Sequence, residues 1–139
     1  MWSRTHSNTV RGLKAEQVWQ VWTDVNRWHT WQPDIEYAQL EGVFAPGNTF
    51  ALKPKGGPKV NIEIIAAEPN RRFTDVTRFP GARMYGDHEF VVRGDALEIR
   101  TTMRIEGPLA FIWRKLVAEG VAKGMPAQTE QLVEKAVNE

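Results

Sequence analysis

Residues 73–110 read FTDVTRFPGARMYGDHEFVVRGDALEIRTTMRIEGPLA. Polar and apolar side chains alternate along three stretches of this segment, and such alternation is typical of β-strands. The turn signals Pro80-Gly81 and Gly94-Asp95 separate the stretches, so the segment predicts three antiparallel strands joined by tight turns. Gly107-Pro108 follows the third stretch, and proline is favoured at the first position of a helix. The chain is therefore predicted to change from strand to helix at this point.

Similar turn signals occur upstream, so that the whole segment from Asp34 to Glu106 predicts an antiparallel meander of six strands. The connections are too short for a parallel crossover, which needs about a dozen residues or more. Residues 3–10 also alternate and predict one earlier strand. The upstream turn signals are Gly42 to Gly47, Lys55-Gly56-Gly57-Pro58 and Pro69-Asn70.

Two short helices are predicted between the first and second strands. Residues 15–25 place apolar side chains at helical spacing. Asn26 can cap a second helix, which Pro33 ends. With the final helix, the order predicts an α+β fold in which a seven-stranded antiparallel sheet wraps around one long C-terminal helix.

The C-terminal helix is predicted to begin near Pro108 and to run nearly to Glu139. Two glycines and a proline weaken its middle, since glycine costs about 1 kcal/mol and interior proline about 3 kcal/mol relative to alanine. Gly120, Gly124 and Pro126 therefore predict a kink, which either is fixed or lets the helix gate a pocket. The apolar side of the helix is predicted to consist of Leu109, Ile112, Trp113, Leu116, Gly120 and Val121.

The composition is that of a globular protein, and residues 1–139 fit one domain. The net charge of +1 gives no large field for a polyanion, so nucleic acid is not an expected partner. Cysteine is absent, and His6, His29 and His88 lie far apart in the sequence, so neither a metal site nor a cofactor is predicted. No segment approaches the roughly 20 apolar residues of a membrane span, and we expect a cytoplasmic protein.

An internal cavity is expected, because one helix covers seven strands poorly. Trp19, Trp22, Trp28 and Trp31 lie within thirteen residues of one another. Each such ring buries roughly 150–250 Å², which is more than a small core needs at one end of a sheet. The helical stripe favours core positions for Trp19 and Trp22, whereas Trp28 and Trp31 are equally compatible with the core and with a cavity wall.

Strand parity places polar side chains among the apolar ones of the inner face. Because alternate residues share a face, His88, Thr101 and Asp75 point inward with apolar neighbours on their own strands. If the two turns set the register simply, these three residues lie side by side across three strands. Asp75 would then orient His88, which would act as a general base or as a hydrogen-bond anchor for a ligand. The alternative is a core histidine with satisfied hydrogen bonds and a carboxylate that reaches solvent.

The remaining predicted ligand-binding residues are aromatic, aliphatic and small side chains on the same inner surface. Methionine among them offers adaptable contacts. Simple core packing is the alternative for each of them. With the polar residues, the predicted ligand-binding set is Trp28, Trp31, Phe79, Met84, His88, Phe90, Thr101, Met103, Trp113, Leu116, Val117 and Gly120.

Four loose motifs also occur in order along the chain. They are Val18-Trp19 with Asp24 and Trp28; Gly42-x-Phe44-x-x-Gly47; Pro80-Gly81-Ala82-Arg83 before His88-x-Phe90; and Gly107-Pro108-Leu109-Ala110 with Gly124-Met125-Pro126. In this order they resemble the START-type helix-grip superfamily (SRPBCC), and within it the polyketide cyclase/dehydrase-like group. The resemblance spans nearly the whole chain. It implies a seven-stranded sheet that grips a helix around a pocket for an apolar or amphipathic small molecule.

Three functions follow from these features. The leading hypothesis is a protein that binds a small hydrophobic or amphipathic molecule, lipid-, polyketide- or sterol-like, because apolar wall residues are plentiful and acid–base groups are few. The second is a cyclase, dehydratase or hydrolase that uses His88 and Asp75. The third is a co-chaperone-like module that binds a protein through its outer surface. Formation of a homodimer is left open.

Overall fold

The structure is a computed structural model that describes residues 2–138, and it contains the predicted seven-stranded sheet. The strands lie in the order β1-β7-β6-β5-β4-β3-β2, and each pairs with its neighbours in antiparallel fashion. The first strand therefore completes the sheet beside the last one. The strands are β1 Trp2–Arg11, β2 Ile35–Leu40, β3 Thr49–Pro54, β4 Val60–Glu68, β5 Arg72–Phe79, β6 Ala82–Arg93 and β7 Ala96–Glu106.

The helices also occur where the sequence predicts them. Helix α1 spans Ala15–Thr23 and is followed by a 3₁₀ helix at Val25–Thr30, both between β1 and β2. The long C-terminal helix spans residues 110–137 and is bent. The predicted α+β class and the two short helices are thus confirmed. None of the helices within residues 2–138 is long and apolar enough to cross a membrane.

Two irregularities bend the C-terminal helix. It consists of α2 Ala110–Trp113, a wider π-helical stretch Arg114–Ala118, α3 Glu119–Lys123 and α4 Met125–Val137. The break between α3 and α4 falls at Gly124, whose amide donates to the Val121 carbonyl. Pro126 lies in the first turn of α4 rather than in a helix interior, where proline would disrupt the bonding. The predicted kink is therefore present. Because Pro126 lies in the first turn of α4, it avoids most of the about 3 kcal/mol that an interior proline costs.

The apolar side of the C-terminal helix is not the predicted one. Ala118, Ala122 and Met125 face the sheet, whereas Leu116 is 70% exposed and Val121 is 45% exposed. The small alanines let the helix approach β6 and β7 closely, and the π-helical stretch rotates the residues before it relative to those after it. The prediction is therefore wrong for Ile112, Leu116 and Val121, whereas Trp113 packs against the sheet as predicted and Leu109 lies against Gly81 of the β5–β6 turn.

Two separate hydrophobic clusters hold the helices on the concave face of the sheet. The larger one joins α1, the 3₁₀ helix and α4 to the sheet around Phe50, Phe73 and Phe90. The smaller one joins the first half of the C-terminal helix to β6 and β7, and it contains Ala82, Met103, Ile105, Ala118, Ala122 and Met125.

The concave face is incompletely covered between the two clusters. Several side chains of β3 to β6 that point to this face there remain only partly buried, although Thr77 among them is buried. The partly buried ones are Leu52, Ile62, Asp75, Phe79 and Met84. We call this incompletely covered part of the face the hollow; it positions the candidate site.

Candidate functional site

His88, Thr101 and Asp75 all lie on the concave face, but they do not form the straight row that was predicted. His88 pairs with Thr101 on β7 as expected, whereas its partner on β5 is Phe73. Asp75 lies opposite Gly86, two residues along the strand. The tight turn at Pro80-Gly81 pairs Phe79 directly with Ala82, and this pairing fixes the register of the whole hairpin.

Asp75 nevertheless approaches His88 diagonally, because Gly86 has no side chain between them. Asp75 Oδ2 lies 3.5 Å from His88 Nε2. A Cβ atom added to Gly86 would lie 2.9 Å from Asp75 Oδ1 and 3.1 Å from His88 Nε2. Gly86 is therefore a site residue that the sequence analysis missed. A glycine inside a long strand is the available signal, since it weakens the strand and often marks a close approach.

The His88 ring is held by aromatic neighbours and is 8% exposed. It stacks on Phe73 with ring centroids 4.4 Å apart, and it meets Trp22 at a right angle with centroids 5.0 Å apart. Its Nδ1 atom is enclosed and has no hydrogen-bond partner among the described residues, and the same is true of Trp22 Nε1. The prediction of an inward-pointing His88 is met, but the interpretation as a core histidine with satisfied hydrogen bonds does not fit this atom.

The Asp75 carboxylate lies on the same face and keeps 17% of its side-chain surface exposed. Among residues 2–138, His88 is the only basic side chain within 4 Å of it. Burying a carboxylate is costly unless it is paired or hydrogen-bonded. The Asp75 carboxylate can therefore accept further hydrogen bonds at the edge of the hollow. Within the same residues, no group of acidic and histidine side chains could hold a metal ion.

The predicted wall residues divide between the two clusters. Trp28, Trp31 and Phe90 are buried in the larger cluster, where Trp22 contacts Trp28 and Trp31 at 5.2 Å between ring centroids. These tryptophans fill the core at that end of the sheet. Met103 is buried in the smaller cluster and Thr101 is buried on β7.

Other predicted wall residues lie beside the hollow. Phe79 stacks on Trp113 at 4.5 Å, and the Trp113 indole donates a hydrogen bond to the Pro80 carbonyl. Met84 and Val117 are partly buried. Leu116 and Gly120 are exposed on the helix and do not form part of an enclosed wall.

Two surface clefts lie away from His88 and Asp75. The first has a volume of about 330 Å³ and lies between α1, the 3₁₀ helix and the end of α4, with Trp31 on its border. The second has a volume of about 360 Å³ and lies along β3, β4 and β5, with Phe79 on its border. Neither His88 nor Asp75 lines either cleft, whereas Phe79 borders both the second cleft and the hollow.

Comparison with solved structures shows the same fold in proteins of low sequence identity. A hypothetical protein from Helicobacter pylori matches with a TM-score of 0.77 and 16% identity over 97% of this chain and 88% of its own. Norcoclaurine synthase from Thalictrum flavum matches with a TM-score of 0.75 and 15% identity over 99% and 87%. A protein from Thermus thermophilus gives a TM-score of 0.74 and 15% identity over 99% and 98%.

A search of curated proteins found no match. A family model does match, and it covers residues 1–137. Its description is "Polyketide cyclase / dehydrase and lipid transport". This match confirms the resemblance to the helix-grip superfamily that the motifs indicate. The chain belongs to the polyketide cyclase/dehydrase and lipid transport family.

Proposed function

We propose that this protein binds a small amphipathic molecule in the hollow, with Asp75 and His88 at the polar end of the ligand. The observation that carries the proposal is a partly exposed carboxylate on the concave face, 3.5 Å from a nearly buried imidazole. Partly buried apolar side chains, including Phe79 and Met84, lie farther along the same face of β5 and β6. Apolar walls with a few convergent polar groups are typical of small-molecule sites.

The family description supports a role in ligand binding or in cyclase-type chemistry. Binding is favoured because the apolar contacts around the hollow outnumber its acid–base groups. The gap between the two hydrophobic clusters also leaves apolar surface that a ligand would remove from water. Such burial contributes about 25 cal/mol per Å² of apolar surface.

A dye-binding experiment tests occupancy of the hollow. Nile red should bind the protein with saturable fluorescence enhancement, because the dye reports an apolar environment. Met84→Trp should weaken this binding about tenfold or more by filling the hollow. Val92→Trp is the matched control, because Val92 is 69% exposed and lies near the end of β6 opposite to Met84. Equal dye affinity in the two variants would contradict the proposal.

An enzymatic role is the second candidate, favoured by the carboxylate that lies beside the imidazole. A carboxylate in this position can orient the ring and stabilise its protonated form during proton transfer. A co-purified molecule, identified by native mass spectrometry, would serve as the substrate for comparing wild type with Asp75→Asn. A carrier would lose affinity only, whereas an enzyme would lose turnover well beyond any loss of affinity.

A further inference from the structure

We propose that the group recognised by Asp75 and His88 is a hydroxyl, so that the ligand is an alcohol or a phenol. This inference rests on the proposed function and specifies the chemistry of the same site. The hydroxyl would bridge the two side chains. It would accept a hydrogen bond from His88 Nε2 and donate one to the Asp75 carboxylate.

The separation between the two side chains is the first observation. The 3.5 Å from His88 Nε2 to Asp75 Oδ2 exceeds the about 2.7–3.2 Å of an ordinary N–H···O hydrogen bond. Both groups therefore retain bonding capacity toward a third group. Gly86 lets both polar side chains come close to the strand, since a Cβ atom there would lie 2.9 Å from Asp75 Oδ1 and 3.1 Å from His88 Nε2.

The enclosed nitrogen of His88 defines which atom donates. Nδ1 of His88 has no hydrogen-bond partner among the described residues. The adjoining Trp22 ring has a second enclosed nitrogen, Nε1, which can only donate. Nε1 also has no acceptor among the described residues. A proton on Nδ1 would create another buried donor without an acceptor, which is costly. Of the two tautomers, the one with its proton on Nε2, beside Asp75, avoids this cost. The site presents a donor and an acceptor side by side.

A hydroxyl satisfies this pair because it both donates and accepts through one small atom. An ammonium group can only donate, and it would leave the His88 N–H without an acceptor. A carbonyl or an ether oxygen can only accept, and it would leave the Asp75 carboxylate unpaired. Sites that bind a hydroxyl through buried polar groups discriminate strongly against analogues that lack it.

The test compares three probes of similar size: phenol, anisole and benzylamine. Their affinities for the protein are measured by titration in heteronuclear NMR spectra. Phenol should bind at least about tenfold more tightly than either of the others, because anisole cannot donate and benzylammonium cannot accept. The phenol preference should disappear in Asp75→Leu, which has a similar shape and no charge.

Gly86→Ala provides a second variant that keeps both polar side chains. Its added methyl group would crowd Asp75 Oδ1 and His88 Nε2 and force these side chains to shift, so the phenol preference should fall while Nile red still binds. Asp95→Asn is the matched control for loss of one negative charge, since Asp95 is exposed in the β6–β7 turn. This control should retain the wild-type preference, and a loss of preference there would contradict a specific role for Asp75.

Two results would overturn the hydroxyl inference alone. One is equal binding of phenol and anisole, and the other is absence of binding by all three probes while Nile red binds in a manner sensitive to Met84→Trp. Loss of the Met84→Trp effect on Nile red would instead overturn the proposed function. The two failures are therefore distinguishable.

Discussion

Glu98 lies on the outer face of β7 at the centre of a charged cluster. Its carboxylate accepts hydrogen bonds from Ser7 Oγ at 2.6 Å, Arg93 Nε at 2.7 Å and Arg100 Nη2 at 3.0 Å. The bond from Ser7, followed by the contacts with Arg93 and Arg100, lowers the pKa of Glu98 from 4.5 to about 2, although desolvation acts in the opposite direction. The folded protein thus favours the ionised carboxylate.

The lowered pKa of Glu98 predicts a pH-dependent contribution to stability. Because the folded-state pKa is below the unfolded one, the contribution is fully present above pH 4.5 and is lost as the pH falls toward about 2. Glu98→Gln should therefore lower the melting temperature at neutral pH. The difference from wild type should shrink over this interval in thermal unfolding followed by circular dichroism.

Glu41→Gln is the control for the Glu98 experiment, because Glu41 is exposed. This variant should follow the wild-type stability closely at each pH. A deficit in Glu98→Gln that stayed constant from neutral pH to about pH 2 would show that the ionised carboxylate is not the source of the effect.

At the scale of elements, the junction between β7 and the C-terminal helix depends on a close backbone approach. Gly107 has a φ of 120°, and a Cβ there would lie 2.5 Å from the Gly81 carbonyl oxygen. That carbonyl accepts a hydrogen bond from the Leu109 amide at 2.9 Å. The β5–β6 turn and the start of the helix are therefore joined through two glycines. The residues around Phe79 and Trp113 beside the hollow depend on this junction.

Gly107→Ala should lower the free energy of unfolding by about 2–4 kcal/mol, since it adds both backbone strain and a steric clash. Urea denaturation measures the change. Gly12→Ala is the matched control, because Gly12 has a φ of 76° and no atom within 4 Å of an added Cβ. The control adds backbone strain without a steric clash, so its free energy of unfolding should fall by about 1–2 kcal/mol. Equal losses in the two variants would contradict a structural role for the contact with Gly81.

At the scale of the whole molecule, the two halves of the C-terminal helix are held differently. The second half packs on α1 and β1 as part of the larger cluster. The first half packs on β6 and β7 mainly through Ala118 and Ala122, which meet Met103 of β7. It exposes Phe111 and Leu116. Elements with fewer buried apolar contacts open more readily. The half of the helix beside the hollow should therefore be the less stable one.

Hydrogen exchange measured by mass spectrometry tests this difference. Amides in residues 110–123 should exchange about tenfold faster than those in α4, because local opening costs less where the packing is thinner. Saturation with Nile red should slow exchange in the first half of the helix more than in α4. Uniform protection along the helix, with and without the dye, would contradict the expected difference.

Much of the fold follows from local patterns in the sequence. Turn signals and alternation predict all seven strands, and the helical spacing of residues 15–25 predicts α1. The inward direction of His88 and Asp75 follows from strand parity, because the period of two is a property of each strand alone. The family resemblance follows from motifs that lie in these elements and in the turns between them.

Tertiary structure alone decided how these elements meet. Strand parity is compatible with registers that differ by two residues, and the observed pair of Phe79 with Ala82 places Asp75 opposite Gly86 rather than His88. The side of the C-terminal helix that faces the sheet depends on close packing, which selected Ala118 and Ala122 over the larger Leu116. Local patterns specify which face a residue occupies, whereas its partner depends on complementary shape across elements distant in the sequence.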